Sequence, residues 1–451
     1  MSGIVVLKFG GAALRDGASV DSACRIVAQR GGDRPVLVVS AHAGVTDLLE
    51  NAARAAATGR VDLHDVRIRH RSILAQLGLD GELCDRHLRQ LHQLLEQIAQ
   101  KGQLPLRDLD LVLSFGERIS ARIVARALAG HGLEATPVDA FDLGFVTDSN
   151  HGHARPLAGI GADIKSAIDR VHGIPVVTGF LARDSHGHLT TLGRNGSDLT
   201  ASVLAEALAA REIQFWKPVP GILTADPELV PDARCIPWLT YLEAAECAFH
   251  GSRLLHPASV APALRAAVAV RVLDVRKPDA PGTVFVMDTE APADQRGPVA
   301  IATKAGVVRM DLQVDAPEER GELASRLFST LDEFGLSHGL LSVDGLRLSA
   351  VVEPGPGMPG ALDRLGPIVT LAHDLAVVAV VGSDVGSDTA VGVKAYETLR
   401  AHDIDVVGAF LGDRERSQCF LVHGADLMPA ARALHANMLT ATRAGQPGSA
   451  D

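Results

Sequence analysis

Long hydrophobic runs are missing from this sequence: no apolar stretch approaches the roughly 18 residues that are needed to span a bilayer. The N-terminal residues, MSGIVVLKFGG, lack the basic region and the cleavage site of a signal peptide. Cysteines are few, since there are 5 of them, scattered and without a C-x-x-C pair. Such cysteines are typical of free thiols in a reducing compartment and argue against disulfides or a zinc site. We therefore expect a cytoplasmic protein without a membrane segment.

Positive charge is also scarce. The chain has 43 Lys and Arg against 54 Asp and Glu, a net charge of -11, and no basic stripe, so nucleic acid is not an expected partner. Hydrophobic residues are plentiful, at 47% of 451 residues, which is enough for two or three packed domains.

Apolar, β-branched runs alternate with segments of helical periodicity in the first two thirds of the chain. Helical patterns occur near 19–30, from Val45, and from Ser197 to about Ala210. Short apolar strands separated by helices predict an α/β fold with a mostly parallel sheet covered on both faces. Small residues follow the strand ends, and ligands bind at that edge of an open α/β sheet. The strand-like runs are 4–9, 35–40, 174–180, 213–216 and 270–275.

A polar segment at about 62–104 is predicted to be a helical insert. Its four histidines leave two interpretations open, a metal site or a solvated pair of helices. No pair of these histidines has ligand spacing beside a carboxylate, which favours the solvated helices, and we predict no metal ligands. The histidines are His64, His70, His87 and His92.

The composition changes at DTEAPADQRGPVA (288–300), which is typical of an interdomain linker. After it a β-α-β pattern occurs twice, from VVRMDLQV to LRLSAVVE and from LAVVAVVG to SQCFLVHG. Two such units in tandem predict a duplicated binding or assembly module. A helix at about 428–440 and a frayed C-terminal tail follow. The predicted boundaries are a catalytic domain at 1–288, a linker at 289–300, the tandem region at 301–441 and a flexible tail at 442–451.

KFGG (8–11) ends the first predicted strand with a lysine and a two-glycine turn. Gly10 and Gly11 allow backbone N–H groups to approach an anion, and the following helix start adds positive potential. Lys8 would then act as a mobile point charge for phosphate oxygens. A strand-to-helix turn with an incidental lysine is the alternative.

TTLGRNGSDLTA (190–201) is a stronger signal. Arg194 offers a guanidinium fork for a carboxylate, and its glycine-rich surroundings keep the loop open. The alternative is that Ser197 or Asp198 merely caps the next helix, which does not explain the arginine.

Two further strand-exit or helical motifs contribute carboxylate and hydroxyl groups. SFGERISA (114–121) contains Glu117, which could otherwise be an exposed glutamate beside Arg118. SAHAGVTD (40–47) contributes Ser40 and Thr46, which could otherwise belong to an ordinary helix start. Together the four motifs predict one edge that carries a lysine, an arginine, two carboxylates and several hydroxyls.

On the basis of these motifs, the chain resembles the aspartate kinases of the amino acid kinase superfamily over nearly its whole length. The family patterns are KFGGTS, SAxxGxTN, GER(L/M)SA, TTLGRGGSD, WTDV(D/P)G with a following DP, and FG(A/S)KVLHP. The C-terminal units resemble paired ACT regulatory domains, and residues 417–439 are especially similar to the lysine-sensitive, single-function class. The matching segments are KFGGAA (8–13), SAHAGVTD (40–47), GERISA (116–121), TTLGRNGSD (190–198), WKPVPGILTADP (216–227) and HGSRLLHP (250–257).

The resemblance implies a three-layer α/β/α amino acid kinase domain followed by two ACT-like α+β units. It also implies transfer of the ATP γ-phosphoryl group, with Mg²⁺, to the side-chain carboxylate of L-aspartate, the first step toward lysine, threonine and methionine. A carboxylate is already nucleophilic, so positioning and charge neutralisation must supply the catalysis. By this resemblance Lys8 stabilises the transferred phosphoryl group and Asp198 orients Lys8 or the nucleotide. The residues implied in aspartate binding are Ser40, Thr46, Glu117, Arg194, Asn195, Gly196 and Ser197.

The nucleotide side departs from the family pattern. Where the family has a Thr-Asp pair that contacts the nucleotide, this chain has Lys217–Pro218. Where the family has Thr-Ser after KFGG, this chain has Ala12–Ala13. Lost hydrogen bonds of about 1 kcal/mol each would weaken nucleotide binding ten- to a hundredfold without abolishing the reaction, and Lys217 could replace a lost cation. The residues implied in nucleotide binding are Lys8, Gly10, Gly11, Lys217, Pro218, Leu223, Glu228 and Arg253.

Three interpretations of the function follow. The first is an aspartate kinase with a re-tuned nucleotide site, which the intact Lys8, Glu117, Arg194 and Asp198 favour. The others are a catalytically weak homologue that senses amino acids, and a kinase for another small carboxylate. ACT units imply a homodimer or higher homo-oligomer and an amino-acid effector. Glu318–Glu319 predicts a basic effector, lysine included.

Overall fold

Two units make up the computed structural model, which describes residues 3–29, 33–251, 257–292, 296–313, 316, 318, 320–411 and 416–439. The first unit is Met1–Ile222 with Leu255–Val286, and the second is Leu223–Leu254 with Met287–Asp451. Residues 223–254 therefore group with the C-terminal part, although the sequence analysis assigns them to the catalytic domain. Arg253, Glu319 and the predicted tail 442–451 lie outside the described residues.

The strands are β-branched runs of the kind that the sequence predicts. In chain order they are β1 (Ile4–Phe9), β2 (Arg34–Val39), β3 (Ala135–Val138), β4 (Val146–Thr147), β5 (Ile174–Thr178), β6 (Leu181–Asp184), β7 (Leu189–Thr191), β8 (Glu212–Lys217), β9 (Trp238–Thr240), β10 (Ala269–Asp274), β11 (Thr283–Val286), β12 (Gly297–Gln313), β13 (His338–Asp344), β14 (Arg347–Val352), β15 (Val369–Ser383), β16 (Val406–Leu411) and β17 (Ser417–His423). The β12 strand begins inside the predicted linker because Gly297 already pairs with Ser383 of β15.

Helices alternate with these strands. They are α1 (Gly17–Ala28), α2 (Val45–Ala57), α3 (His64–Gln76), α4 (Asp85–Lys101), α5 (Leu106–Gly130), α6 (Gly161–Ile168), α7 (Gly196–Ala207), α8 (Tyr241–Phe249), α9 (Pro257–Arg265), α10 (Arg320–Glu333), α11 (Met358–Leu365), α12 (Thr389–Ala401) and α13 (Leu427–Met438). Among the described residues, no helix combines the length and the apolar character that a membrane span requires.

The first unit is built on a mostly parallel sheet, as predicted. Within the unit its strand order is β3-β5-β2-β1-β8-β10-β11, and β1 pairs in parallel with both β2 and β8. The β10–β11 pair is antiparallel. Central strands bury nearly every residue, which explains why they are continuous apolar runs without alternation. Parallel strands end at the same edge, so the turns after β1, β2 and β8 lie together there.

The helical insert packs more tightly than predicted. Apolar side chains of α3 and α4, such as Ile73 and Leu91, belong to the core that α2 and α5 also build. His70 is fully buried, and its Nδ1 atom lies 2.8 Å from the carbonyl oxygen of Val66. Burial lowers the pKa of His70 to about 4. The expectation of a solvated helical pair is therefore wrong for this face, since α3 and α4 are amphipathic.

The second unit contains one antiparallel sheet in the order β13-β14-β12-β15-β17-β16. The first ACT-like repeat supplies β12, β13 and β14 with α10 and α11, and the second supplies β15, β16 and β17 with α12 and α13. The central β12–β15 pair joins the two repeats into one sheet. Separate apolar clusters lie beneath the helices of each repeat, as a duplicated module requires.

Candidate active site

The register of β1 and β8 brings two lysines to the same face of the sheet. Lys8 of β1 is paired with Phe215 of β8, and Lys217 follows Phe215 by two residues. Paired residues on neighbouring strands point to the same face, and so do residues two apart along a strand. Helix α7 packs against both strands. Its first turn therefore faces the side chains of both lysines.

Asp198, in that first turn, binds both lysines. Its Oδ1 atom lies 2.5 Å from Lys8 Nζ, and its Oδ2 atom lies 3.2 Å from Lys217 Nζ. Lys8 and Asp198 are buried, and the side chain of Lys217 is 15% exposed. The N-cap of α7 is Asn195, so the alternative in which Ser197 or Asp198 merely caps this helix is wrong.

The protonation of this trio follows from its burial and its charges. Burial alone would raise the pKa of Asp198, but the charges of Lys8 and Lys217 outweigh it and hold that pKa below its usual value. The pKa of Lys217 is lowered because burial and the neighbouring Lys8 charge outweigh the attraction of Asp198. Asp198 is therefore a carboxylate that partly neutralises two cations, one buried and one half-buried.

Three of the sequence motifs meet at Ala41. A Cβ atom on Gly11 would lie 2.8 Å from the carbonyl oxygen of Ala41, and one on Gly116 would lie 2.8 Å from its Cβ atom. Both positions must be glycine because the backbones approach too closely for a side chain. The backbone N–H of Ala41 donates a hydrogen bond of 3.1 Å to Glu117 Oε1. KFGG, SAHAG and GER thus form one packed corner at the carboxyl ends of β1 and β2.

Glu117 is the most perturbed carboxyl group of this corner. Its exposed fraction is 4%, and burial raises its pKa to about 7, although the N–H of Ala41 and the charge of Lys8 both act to lower that pKa. The alternative of an exposed glutamate beside Arg118 is wrong, because Glu117 is buried and Arg118 binds Asp139 instead. A carboxyl group that titrates near neutral pH is typical of a functional site.

The loop between β7 and α7 carries the predicted carboxylate-binding residues. Arg194 is exposed, and Asn195 adopts a left-handed conformation with φ of 59°. Asn tolerates this region better than most residues, which explains how it stands where the family pattern has glycine. Ser40 follows β2 half-buried, and Thr46 is exposed in the first turn of α2.

A buried network next to this loop was missed by sequence reasoning. Asp110 of α5 is 1% exposed and accepts hydrogen bonds from Thr191 Oγ1 at 2.6 Å and from the N–H of Gly152 at 3.2 Å. His151 Nδ1 lies 2.8 Å from Asp110 Oδ2, the oxygen that also accepts from Gly152, whereas Thr191 binds Oδ1. Thr191 ends β7 immediately before the loop. Asp110 therefore anchors the base of the Arg194 loop to the helix that carries Glu117.

Phe180 is a second feature that the sequence did not reveal. It has a positive φ of 69°, which is uncommon for an aromatic residue. Its N–H donates to Thr200 Oγ1 of α7 at 3.0 Å, and its carbonyl oxygen accepts from the N–H of Leu192 at 3.0 Å. Such strain persists where the surroundings impose it, and it is concentrated at functional sites.

The residues predicted to bind the nucleotide fall in both units. Lys217 joins Asp198 at the edge of the sheet, and Pro218 follows it directly. Leu223, which is partly buried, and Glu228, which is exposed, belong to the second unit. Arg253 lies outside the described residues. Among the residues that the structure describes, no three His, Cys, Asp or Glu side chains are arranged to hold a metal ion.

The family model described as "Amino acid kinase family" matches residues 3–274. That span is more than half of the chain and contains the parallel sheet with Lys8, Glu117, Asp198 and Lys217. The chain therefore belongs to the amino acid kinase family.

Individual relatives and solved structures show which members of this family the chain is similar to. The chain is 31% identical to Lysine-sensitive aspartokinase 3 of Escherichia coli strain K12, over 97% of this chain and 100% of that protein. It is 30% identical to Aspartokinase 2, chloroplastic, of Arabidopsis thaliana, over 95% of this chain and 83% of that protein. The structure of E. coli aspartokinase III in complex with aspartate and ADP matches with a TM-score of 0.82 at 27% identity, over 96% of this chain and 99% of that one. Within the family, the chain is an aspartokinase.

Proposed function

We propose that this protein transfers the γ-phosphoryl group of ATP to the side-chain carboxylate of L-aspartate, giving 4-phospho-L-aspartate for amino-acid biosynthesis. The observation that carries this proposal is the buried ion pair of 2.5 Å between Lys8 and Asp198, at the edge where the KFGG, SAHAG and GER segments meet. The similarity to an aspartokinase that binds aspartate and ADP supports the same reaction.

Positioning and charge account for the catalysis. The aspartate carboxylate attacks the γ-phosphorus while the bond to the β–γ bridging oxygen breaks, so no general base is needed. Lys8 neutralises charge on the transferred phosphoryl group, and Asp198 holds Lys8 in place. The N–H groups at Gly10 and Gly11 would donate to phosphate oxygens.

The aspartate molecule would lie between the packed corner at Ala41 and the loop before α7. In this assignment Arg194 binds a carboxylate of aspartate, and the ionised form of Glu117 binds its ammonium group. The remaining proposed contacts are Ser40, Thr46, Asn195, Gly196 and Ser197.

On the nucleotide side we assign Lys217 and Pro218, with Leu223, Glu228 and Arg253 as further contacts. Mg²⁺ would be carried mainly by the nucleotide phosphates, where it neutralises negative charge. This fits the donor set, because both oxygens of Asp198 already face lysines. The chain offers cations at this edge more readily than a carboxylate cage for a metal.

Regulation and assembly extend the same proposal. The tandem ACT-like repeats and the similarity to a lysine-sensitive aspartokinase support lysine as an effector and a homodimer or higher homo-oligomer. The predicted domain boundaries, and the cytoplasm as location, remain predictions from the sequence.

The proposal is tested by incubating the protein with ATP, Mg²⁺ and L-aspartate, following ADP release and trapping the acyl phosphate with hydroxylamine. We expect aspartyl hydroxamate in step with ADP. Aspartate binding without turnover with any nucleotide would instead support the weak, amino-acid-sensing homologue, which Pro218 and Ala12–Ala13 favour. Turnover only with another small carboxylate would support the third interpretation, a kinase for a different carboxylate substrate. Lysine at millimolar concentrations is then added to test the effector.

A further inference from the structure

Lys217 stands where the family pattern has threonine, and its position in the fold is more informative than the substitution alone. It ends β8, and its Nζ atom lies 3.2 Å from Asp198 Oδ2, while Lys8 Nζ lies 2.5 Å from Asp198 Oδ1. The two lysines therefore flank one carboxylate. Strand register and the first turn of α7 impose this arrangement, since both lysines share a face of the sheet.

The trio itself carries two positive charges and one negative charge in a largely buried site. Two ammonium groups face one carboxylate, and the side chains of Lys8, Asp198 and Lys217 are 6%, 3% and 15% exposed. Interactions between charges are stronger where water is excluded, so an arriving phosphate anion would be stabilised by both cations. Because Lys217 shares Asp198 with Lys8, both ammonium groups lie at one carboxylate.

We infer that Lys217 is a catalytic cation of the phosphoryl-transfer centre, coupled to Lys8 through Asp198, and not only a nucleotide-binding residue. This inference rests on the proposed function. Strand β1 lies between β2 and β8, so Lys8 stands between the Ala41–Glu117 corner, which follows β2, and Lys217 of β8, which begins the segment assigned to the nucleotide. Lys217 is thus suited to the leaving side of the reaction.

The step can be written with its charges balanced. A carboxylate oxygen of aspartate forms a bond to the γ-phosphorus, and the bond from that phosphorus to the β–γ bridging oxygen breaks. The electron pair of the broken bond stays on the β-phosphate of ADP, and no proton moves. Lys217 stabilises the negative charge that grows on this oxygen, while Lys8 stabilises the phosphoryl group in transfer.

Three variants test the inference. Lys217→Met removes the cation and keeps the length of the side chain, and Lys217→Arg keeps the charge. Lys165→Met is the matched control, because Lys165 forms an exposed ion pair of 2.8 Å with Asp169, away from the site. Steady-state kinetics with ATP and aspartate, equilibrium binding of ADP and the melting temperature are measured for each.

We expect Lys217→Met to lower kcat about 100-fold, which is typical of removing one preorganised transition-state contact. The KM for aspartate and the Kd for ADP should change by less than about threefold, as expected for an interaction made only in the transition state. Lys217→Arg should recover most of the lost kcat, and Lys165→Met should resemble the wild type.

The pH profile separates a catalytic cation from a structural one. The pKa of Lys217 is lowered by burial and by Lys8, so the wild-type kcat should fall on the alkaline side as Lys217 loses its proton. Lys217→Arg should shift that alkaline limb to higher pH, because a guanidinium group stays protonated. A purely structural role for Lys217 would change the melting temperature without moving this limb.

Three outcomes overturn the inference, and they are distinguishable. If the wild type forms aspartyl hydroxamate and folded Lys217→Met keeps its kcat within about threefold, Lys217 is not catalytic and only the inference fails. If the wild type shows no turnover, the proposed function fails and the inference fails with it. If Lys217→Met does not fold, Lys217→Arg decides, since an unchanged alkaline limb in that variant also overturns the inference.

Discussion

The aspartate side and the nucleotide side of the candidate site are built in different ways. On the aspartate side, Gly11 and Gly116 approach Ala41 too closely for a side chain, and Glu117 accepts a hydrogen bond from the N–H of Ala41. On the nucleotide side, Lys217 contributes through one long side chain that reaches Asp198. Few substitutions fit where two segments pack this closely. At the end of a strand, by contrast, a different side chain can be accommodated without moving the sheet. This contrast fits the family pattern being kept at Gly11 and Gly116 and altered at Lys217.

The largest effect is expected where the two sides meet, at Lys8. Lys8→Met removes the cation that is closest to Asp198, and kcat should fall by about 1,000-fold, the upper end for a single transition-state contact. Hydroxylamine trapping measures this loss, with Lys165→Met as the control for general effects of removing a lysine. A loss below about tenfold would mean that Lys8 does not face the transferred group.

Glu117 tests the aspartate side alone. Because its pKa is raised to about 7, kcat/KM for aspartate should fall as the pH drops below about 7 and the carboxylate is protonated. Glu117→Gln keeps an acceptor for the N–H of Ala41 but loses the charge, so KM for aspartate should rise about 10-fold or more and the acid limb should disappear. An unchanged pH profile in the variant would exclude Glu117 as the titrating group.

The same residue links activity to stability. The folded pKa of Glu117, about 7, lies above its ordinary value of 4.5, so the native state holds the proton more tightly than the unfolded state. Stability should therefore decrease as the pH rises from about 4.5 to 7, and Glu117→Gln should melt at a higher temperature than the wild type at pH 8. Thermal unfolding at pH 5 and pH 8 checks the sign, since the difference should shrink at the lower pH.

Asp110 tests whether the aspartate side depends on a buried support. Asp110→Asn weakens the bonds to Thr191 and His151 at the base of the Arg194 loop, and kcat/KM for aspartate should fall by about tenfold. Asp184→Asn is a matched control, because Asp184 is also buried but accepts its hydrogen bonds from the β6–β7 turn and from Ser149 and, among the described residues, none from the base of the Arg194 loop. Equal losses of kcat/KM in both variants would indicate a general loss of packing instead of loop positioning.

The smallest effect is expected at Asn195. Its φ of 59° suits glycine and asparagine, so Asn195→Ala should cost about 1 kcal/mol of unfolding free energy, while Asn195→Gly should be nearly neutral. Denaturant unfolding of the two variants measures this difference. If alanine is tolerated as well as glycine, the loop does not keep its left-handed turn in solution.

The sequence by itself predicted the strands and the main motifs. The predicted runs at 4–9 and 213–216 correspond to β1 (Ile4–Phe9) and β8 (Glu212–Lys217), because buried parallel strands are continuous apolar segments. The motifs were recognisable because each is a short local segment with its own requirement for glycine or a charged side chain. The same local patterns predicted the parallel sheet and the tandem repeat.

Only the tertiary structure decided which distant side chains meet. Glu117 and Ala41 are 76 residues apart, and Asp110 and Thr191 are 81 apart, yet each pair forms a hydrogen bond. The pairing of Lys217 with Asp198 depends on the order of β1 and β8 and on their register, which place both lysines before the first turn of α7. No local pattern encodes strand order, because it is settled by how the layers bury their apolar faces together.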